Sequence, residues 1–272
     1  MTSGFGLNCL RKVPGRSTDN ALGFTPLGSA SPAFADTDGA TRAAAVVEQA
    51  TGTGDLARSA QATGSAAQAT TSTEAGKVTV TAPRASTGDI TATAADGTSL
   101  GLQMAKAKGV TGVKAGAGTV VYSDVAKSTD LAVQPTTDGG ARTLVTLKNA
   151  AAPTEQHFTL TLPKGARVIP DASGYHVVKP ADQGVSMTVG AIEAPWAKDA
   201  HGKPVATSYK LDGNQLVQQV ETNKDTAFPV VADPKITWGN VTGTAYFTKG
   251  ETKSIAIYGA TAALSVGLLP RR

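Results

Sequence analysis

The carboxylates of this sequence are the side chains with the widest range of possible chemistry. Two carboxyl groups held about 5 to 10 Å apart can hydrolyse a glycosidic bond, one as the acid and the other as base or nucleophile. Glu193 precedes Trp196, an aromatic residue on which a sugar ring can stack. We therefore keep a polysaccharide hydrolase as one interpretation. Its candidate carboxylates are Asp124, Asp130, Glu155, Glu193, Asp199 and Glu221.

The histidines and the cysteine indicate no metal or nucleophile chemistry. None of His157, His176 and His201 belongs to a metal-binding spacing, although His157 and His176 could meet across neighbouring strands. Cys9 is the only cysteine, so the chain forms no internal disulfide and no cysteine zinc site. The sequence therefore predicts no catalytic residue, no metal site and no cofactor.

The charge and the aromatic content exclude one class of partner. The net charge is only +4, aromatic residues make up 5% of the chain, and the basic residues are scattered. A nucleic-acid-binding protein needs a basic stripe or an aromatic stacking surface. We therefore predict that the chain does not bind nucleic acid.

The first 35 residues have two of the three parts of an export signal. Arg11, Lys12 and Arg16 supply positive charge, and Ala33-Phe34-Ala35 has the small residues of a cleavage site. The apolar part between them is interrupted by proline, glycine and hydroxyl residues. Residues 1–35 are thus predicted to be an atypical or degraded signal peptide, with Asp36 as the first residue of a secreted protein.

Two stretches of different composition follow. Residues 36–76 are rich in Ala, Thr, Gly and Ser, with few large apolar residues, which predicts a flexible spacer containing a short, weak helix over Ala40 to Ala50. From Lys77 to about residue 247, short β-branched runs alternate with Gly- and Asp-containing turns, and in one of them Phe158, Leu160 and Leu162 alternate with polar residues. This pattern predicts an all-β domain, an antiparallel β-sandwich.

The last residues, 248–272, form an apolar tail. Ser254 to Pro270 carries no charge over 17 residues, whereas a spanning helix needs about 20. We predict a short apolar helix that is truncated, and we keep insertion into a membrane as a less favoured interpretation.

Several short segments occur in a fixed order between Thr119 and Pro234. They are Val121 to Val125, Thr129 to Leu131 with Pro135, Phe158 to Leu160 with Gly165, Pro195 to Pro204, and Phe228 to Pro234. In their order and spacing they resemble a β-rich module of uncharacterised secreted proteins of actinobacteria, which is also found ahead of repeat-rich toxins. The resemblance implies a sandwich-like fold and export, and it supplies no catalytic residues. Its recurrent segments are scaffold-like, with Trp196 predicted to anchor the core.

Three functions remain open from the sequence. The favoured one is a secreted, non-enzymatic β-sandwich that either contacts a partner at the cell surface or forms the leader portion of a larger exported protein. The alternatives are the polysaccharide hydrolase and a protein that associates with a membrane through Ser254 to Pro270.

Overall fold

The structure, a computed structural model, describes residues 37–74, 76–180, 186–238 and 245–246. Within these residues one helix, α1 (Thr37–Thr51), precedes eighteen strands. The strands are β1 (Ser65–Thr73), β2 (Gly76–Pro83), β3 (Ile90–Ala94), β4 (Ser99–Met104), β5 (Val113–Ala115), β6 (Thr119–Ala126), β7 (Thr129–Pro135), β8 (Gly140–Leu147), β9 (Glu155–Thr161), β10 (Arg167–Asp171), β11 (Gly174–Pro180), β12 (Ser186–Glu193), β13 (Ala197–Lys198), β14 (Thr207–Asp212), β15 (Gln215–Val220), β16 (Val230–Ala232), β17 (Lys235–Trp238) and β18 (Ala245–Tyr246).

The strands form two sheets. The first runs in the order β1-β2-β3-β4-β9-β15-β14, and the second in the order β10-β11-β12-β17-β8-β7-β6-β5. Strand β16 adds to β8, β13 adds to β16, and β18 adds to β12. Neighbouring strands in the described part of the chain pair antiparallel, for example β7 with β8 and β4 with β9. The predicted antiparallel β-sandwich is confirmed.

One core fills the space between the two sheets. Leu102 and Phe158 enter it from the first sheet, and Leu131 and Ile236 enter it from the second. Strand β9 shows the predicted alternation, since Phe158 and Leu160 are buried and Thr159 between them is only partly buried. In a sandwich, the side chains of the two inner faces interdigitate to form the core.

Helix α1 corrects the prediction of a flexible spacer over residues 36–76. Ala40, Ala44 and Val47 lie on one face of the helix and are buried against the outer face of the second sheet. Their spacing of four and three residues brings them onto one stripe. The prediction failed because small alanine side chains let a helix approach a sheet closely, while the sequence analysis looked for large apolar residues.

Strand β1 corrects the predicted start of the β domain at residue 77. It pairs with β2 from Ser65 to Thr73 and forms an edge of the first sheet. Ala67 and Ala69 are buried in its inner face. The ladder of main-chain hydrogen bonds holds this segment, so a Thr- and Ala-rich composition does not prevent it from folding. The predicted signal peptide (1–35) and apolar tail (248–272) lie outside the described residues.

Candidate functional site

Glu193, the favoured catalytic carboxylate of the hydrolase interpretation, is held in an ion pair. Lys235 Nζ lies 2.8 Å from Glu193 Oε1 and 2.7 Å from Asp138 Oδ2. Burial of Lys235 opposes its charge, but the hydrogen bonds to Asp138 and Glu193 outweigh this effect and raise the pKa of Lys235. The group that was expected to act as an acid therefore neutralises a lysine.

Asp124 and Asp130 also share one lysine. Lys148 Nζ lies 2.5 Å from Asp124 Oδ1 and 3.0 Å from Asp130 Oδ1. Asp130 Oδ1 additionally accepts a hydrogen bond of 2.7 Å from the main-chain N–H of Asp124, which has a positive φ. The two carboxylates thus fix the β6–β7 hairpin to the end of β8.

The histidines do not come together. His157 lies on β9 of the first sheet, where its Nε2 is 2.6 Å from Glu155 Oε1, and His176 lies on β11 of the second sheet. The prediction that these two could meet across neighbouring strands is wrong, because the strands belong to different sheets. His201 is exposed in a turn, where its N–H donates to Asp199 Oδ1.

A cavity of about 380 Å³ brings two of the predicted carboxylates together. Asp199 and Glu221 both line it, with Lys203, Asn223 and Asp225. Asp199 Oδ1 accepts hydrogen bonds of 2.9 Å from the N–H groups of His201 and Lys203. Burial opposes ionisation of Asp199, but these backbone bonds prevail and lower its pKa. Asp199 is therefore ionised and stabilises its own turn. The acid of a glycosidase needs a raised pKa, so Asp199 does not suit that role.

Trp196 is only partly buried, and it packs against α1 and the outer face of the second sheet. It packs there against the cluster of buried residues that contains Val47, Leu144 and Val231. Lys198 Nζ lies 5.2 Å from the centre of the Trp196 ring and donates a hydrogen bond of 2.8 Å to the carbonyl oxygen of Ala50. Trp196 was predicted to anchor the core. It lies outside the main core instead, in the contact between the helix and the sheet.

A buried acidic centre around Asp233 was missed by the sequence analysis. Asp233 is 0% exposed, and its Oδ1 accepts a hydrogen bond of 2.9 Å from the N–H of Trp196. The Tyr209 hydroxyl lies 3.3 Å from the same Oδ1 and 3.3 Å from the carbonyl oxygen of Asp233. Oδ2 is buried and has no hydrogen-bond partner among the described residues. Burial, with a smaller contribution from the charge of Glu193, outweighs the hydrogen bonds from Trp196 and Tyr209 and raises the pKa of Asp233 to about 7.

The sequence carries one signal of this centre, the Asp233-Pro234 dipeptide at the end of the scaffold-like segment Phe228 to Pro234. Tyr209 comes from the edge strand of the other sheet, and its ring centroid lies 6.5 Å from that of Tyr175 on β11. Burial also raises the pKa of Tyr209, and Asp233 adds to this effect, so the phenol stays protonated. No pattern in the sequence indicates that Tyr175, Tyr209 and Asp233 lie close together.

The outer face of the first sheet carries an array of uncharged polar side chains, which we call the hydroxyl face. Thr81 pairs in register with Gln68 and Thr91, and Thr79 pairs with Thr70 and Thr93. The inward positions between them, such as Val80 and Ala92, are buried, so the threonines point outward. The hydroxyl face consists of Gln68, Thr70, Thr79, Thr81, Thr91, Thr93, Ser99, Gln103, Thr159 and Thr161.

The described residues contain no cluster of three or more His, Cys, Asp or Glu side chains that could hold a metal ion. Within the same residues, no helix is both long and apolar enough to span a membrane. Comparisons with protein-family models, curated proteins and solved structures give no match.

Proposed function

We propose that the chain is a secreted, non-enzymatic β-sandwich that binds a neutral, hydroxyl-rich polysaccharide at the cell surface through its hydroxyl face. The observation that carries the proposal is the cross-strand threonine array, in which Thr81 stands between Gln68 and Thr91 in register. Each threonine hydroxyl offers one hydrogen-bond donor and two acceptor positions, which suits sugar hydroxyls.

The size and charge of the hydroxyl face support a polymer as its ligand. It crosses five strands from β1 to β9, or roughly 19 Å at the usual strand spacing. Its ten positions are uncharged, but charged groups border them: Asp89 Oδ2 accepts a hydrogen bond of 3.0 Å from Thr161, and the Glu155–His157 pair continues the outward side of β9. A ligand that lies over β1 to β3 can bind without desolvating these ions. Some of its hydroxyls already bond to one another, as Thr70 and Thr79 do at 3.0 Å, which holds their oxygens in place.

The arrangement of the carboxylates supports binding over hydrolysis. Glu193, Asp124 and Asp130 are paired with lysines, and Asp199 is held by backbone N–H groups. Hydrolysis would need two carboxyl groups on opposite sides of one bond, with one of them protonated. Such a pair would have to act in the cavity that Asp199 and Glu221 line. An experiment must therefore distinguish binding on the hydroxyl face from hydrolysis in this cavity.

Export is part of the proposal and has a direct test. The Ala33-Phe34-Ala35 site would leave Asp36 as the first residue and would leave α1, which begins at Thr37, whole. N-terminal sequencing of protein recovered from the culture medium should give Asp36. Recovery in the cytosol alone, with the sequence starting at Met1 or Thr2, would contradict export.

Sedimentation with an insoluble neutral glucan tests the binding face. Thr81→Lys places a charged, longer side chain between Gln68 and Thr91 of the hydroxyl face and should abolish co-sedimentation. Met187→Lys is the matched control, because Met187 is 47% exposed on a strand of the second sheet. Equal binding by the two variants would show that the hydroxyl face is not the site.

A further inference from the structure

Asp233 and Pro234 form the one Asp–Pro peptide bond of the sequence. The side-chain carboxyl of Asp233 can reach its own main-chain carbonyl carbon through a five-membered ring. Because the nucleophile and the electrophile belong to the same residue, the reaction is intramolecular and gains a large effective concentration. The prolyl nitrogen then leaves as a secondary amine.

The surroundings of Asp233 distinguish its two carboxyl oxygens. Oδ1 is held by the N–H of Trp196 at 2.9 Å, while Oδ2 has no partner among the described residues although the whole side chain is buried. One oxygen is therefore fixed, and the other is available as a nucleophile. A buried carboxyl oxygen without a hydrogen bond is unfavourable, and Oδ2 carries this penalty as far as the described residues are concerned.

The carbonyl group at the same bond has a donor next to it. The Tyr209 hydroxyl lies 3.3 Å from the carbonyl oxygen of Asp233 and can donate to that oxygen as negative charge develops on it. Placed donors of this kind stabilise the charge of a tetrahedral intermediate. The raised pKa of Asp233, about 7, keeps most of the carboxyl protonated in mildly acidic solution, so the group also carries the proton that the leaving nitrogen needs.

We propose that the folded chain cleaves itself between Asp233 and Pro234. Asp233 Oδ2 attacks the main-chain carbonyl carbon of the same residue, and the carboxyl proton passes to the nitrogen of Pro234. The bond between carbon and nitrogen breaks, which leaves a cyclic anhydride at Asp233 and a free secondary amine at Pro234. One water molecule then opens the anhydride to two carboxyl groups, so the net reaction consumes one water.

Cleavage there would separate residues 1–233 from Pro234 and everything that follows it. Strand β17 begins at Lys235 and stays paired with β8 and β12, and its Ile236 is fully buried, so the two pieces should remain associated after the bond is broken. The cleavage therefore has to be detected under denaturing conditions. The chemistry is separate from polysaccharide binding, and its test does not depend on the hydroxyl face.

The test is intact-mass measurement of the full chain after incubation at pH 6 and pH 8.5, with denaturation just before analysis. We expect two fragments ending at Asp233 and starting at Pro234, whose masses add up to the parent plus one water, with faster release at pH 6. Asp233→Asn keeps the shape of the side chain and should give no fragments. Tyr209→Phe should slow release by on the order of 10- to 100-fold, since its contact is longer than that of a well-aligned oxyanion donor.

The same chain unfolded in urea at pH 6 is the matched control, because it has the same Asp–Pro bond without Trp196 and Tyr209 around it. Release at least about tenfold slower in urea than in the folded chain supports the proposal. Equal rates in the two states, or an intact folded chain after days, would overturn it. If the circular dichroism spectrum of Asp233→Asn shows that this variant does not fold, the Tyr209→Phe variant and the urea control still test whether the folded chain cleaves itself.

Discussion

The hydroxyl of Tyr209, on the edge strand β14 of the first sheet, lies 3.3 Å from Oδ1 of Asp233, which follows β16 in the second sheet. The contact joins the two layers at a buried carboxyl group whose pKa is raised to about 7 by burial. A carboxyl group in this state makes the stability of the fold depend on pH.

We expect the free energy of unfolding to fall between about pH 4 and pH 7 through Asp233. In this window the folded chain keeps the Asp233 proton and the unfolded chain loses it, so raising the pH favours the unfolded state. The difference between a pKa of about 7 and the ordinary 3.8 corresponds to at most about 4 kcal/mol. Below pH 4 the penalty is absent, and above pH 7 it is complete.

Urea unfolding of the wild type and Asp233→Asn between pH 4 and pH 8 measures this effect. The difference between the two curves isolates Asp233, because other carboxylates act in both proteins. Asp138 is one of these: burial opposes its ionisation, but hydrogen bonds from Lys235 and Thr136 prevail and lower its pKa, so it stabilises the fold above about pH 4. Curves that run parallel over the whole range would contradict the raised pKa of Asp233.

Ala44→Asp should destabilise the protein by at least about 3 kcal/mol, because it places an unpaired charge in the contact between α1 and the sheet. Ala44 is 0% exposed. Ala45→Asp, on the exposed side of the same helix, is the control and should stay within about 0.5 kcal/mol of the wild type. Thermal melts of the two variants give the comparison. Equal melting temperatures would restore the interpretation of residues 37–51 as a loose spacer.

Trp196→Ala should cost about 2 kcal/mol, less than the 3 to 5 typical of a fully buried aromatic residue, because the side chain is only partly buried. The loss should depend on the helix, since Trp196 packs against the cluster that Val47 of α1 forms with Leu144 and Val231. A double-mutant cycle with Val47→Ala measures this coupling. Strictly additive effects would show that the two side chains do not share a contact.

Lys148→Met should destabilise more than Lys235→Met, although each lysine joins two carboxylates. Removing Lys148 leaves the Asp130 side chain, which is only 9% exposed, without its counter-ion, and an uncompensated buried charge is strongly unfavourable. The partners of Lys235 are each 48% exposed and can be solvated by water. We expect the free energy of unfolding to fall by about 2 to 3 kcal/mol in Lys148→Met and by less than about 1 kcal/mol in Lys235→Met. Chemical denaturation checks the order, and the reverse order would contradict this account.

The sandwich could be predicted from the sequence because apolar and polar residues alternate along its strands, and this alternation shows which side chains are buried. In β9, Phe158 and Leu160 face the core and His157 faces outward, which is visible from neighbouring residues alone. The docking of α1 was not predictable in the same way. Its contact is built from Ala40, Ala44 and Val47, and alanine occurs as readily on exposed helix surfaces as in tight contacts.

The ion pairs and the Asp233 centre depend on residues far apart in the chain. Lys235 reaches Asp138, 97 positions earlier, and Tyr209 reaches Asp233 from the opposite sheet. Strand order decides both contacts, and a single sequence does not contain strand order. This is why the sequence alone indicates neither the pairing of Glu193 with Lys235 nor the burial of Asp233.

One incubation tests the central claim, that the chain binds a polysaccharide and does not hydrolyse it. The folded protein is mixed with an insoluble neutral glucan, and both the bound fraction and the reducing ends released into solution are measured. We predict that the wild type and Glu221→Gln bind equally, that Thr81→Lys does not bind, and that no protein releases reducing ends. Release of reducing ends by the wild type, with loss of that release in Glu221→Gln, would contradict the claim and place hydrolysis in the Asp199 cavity.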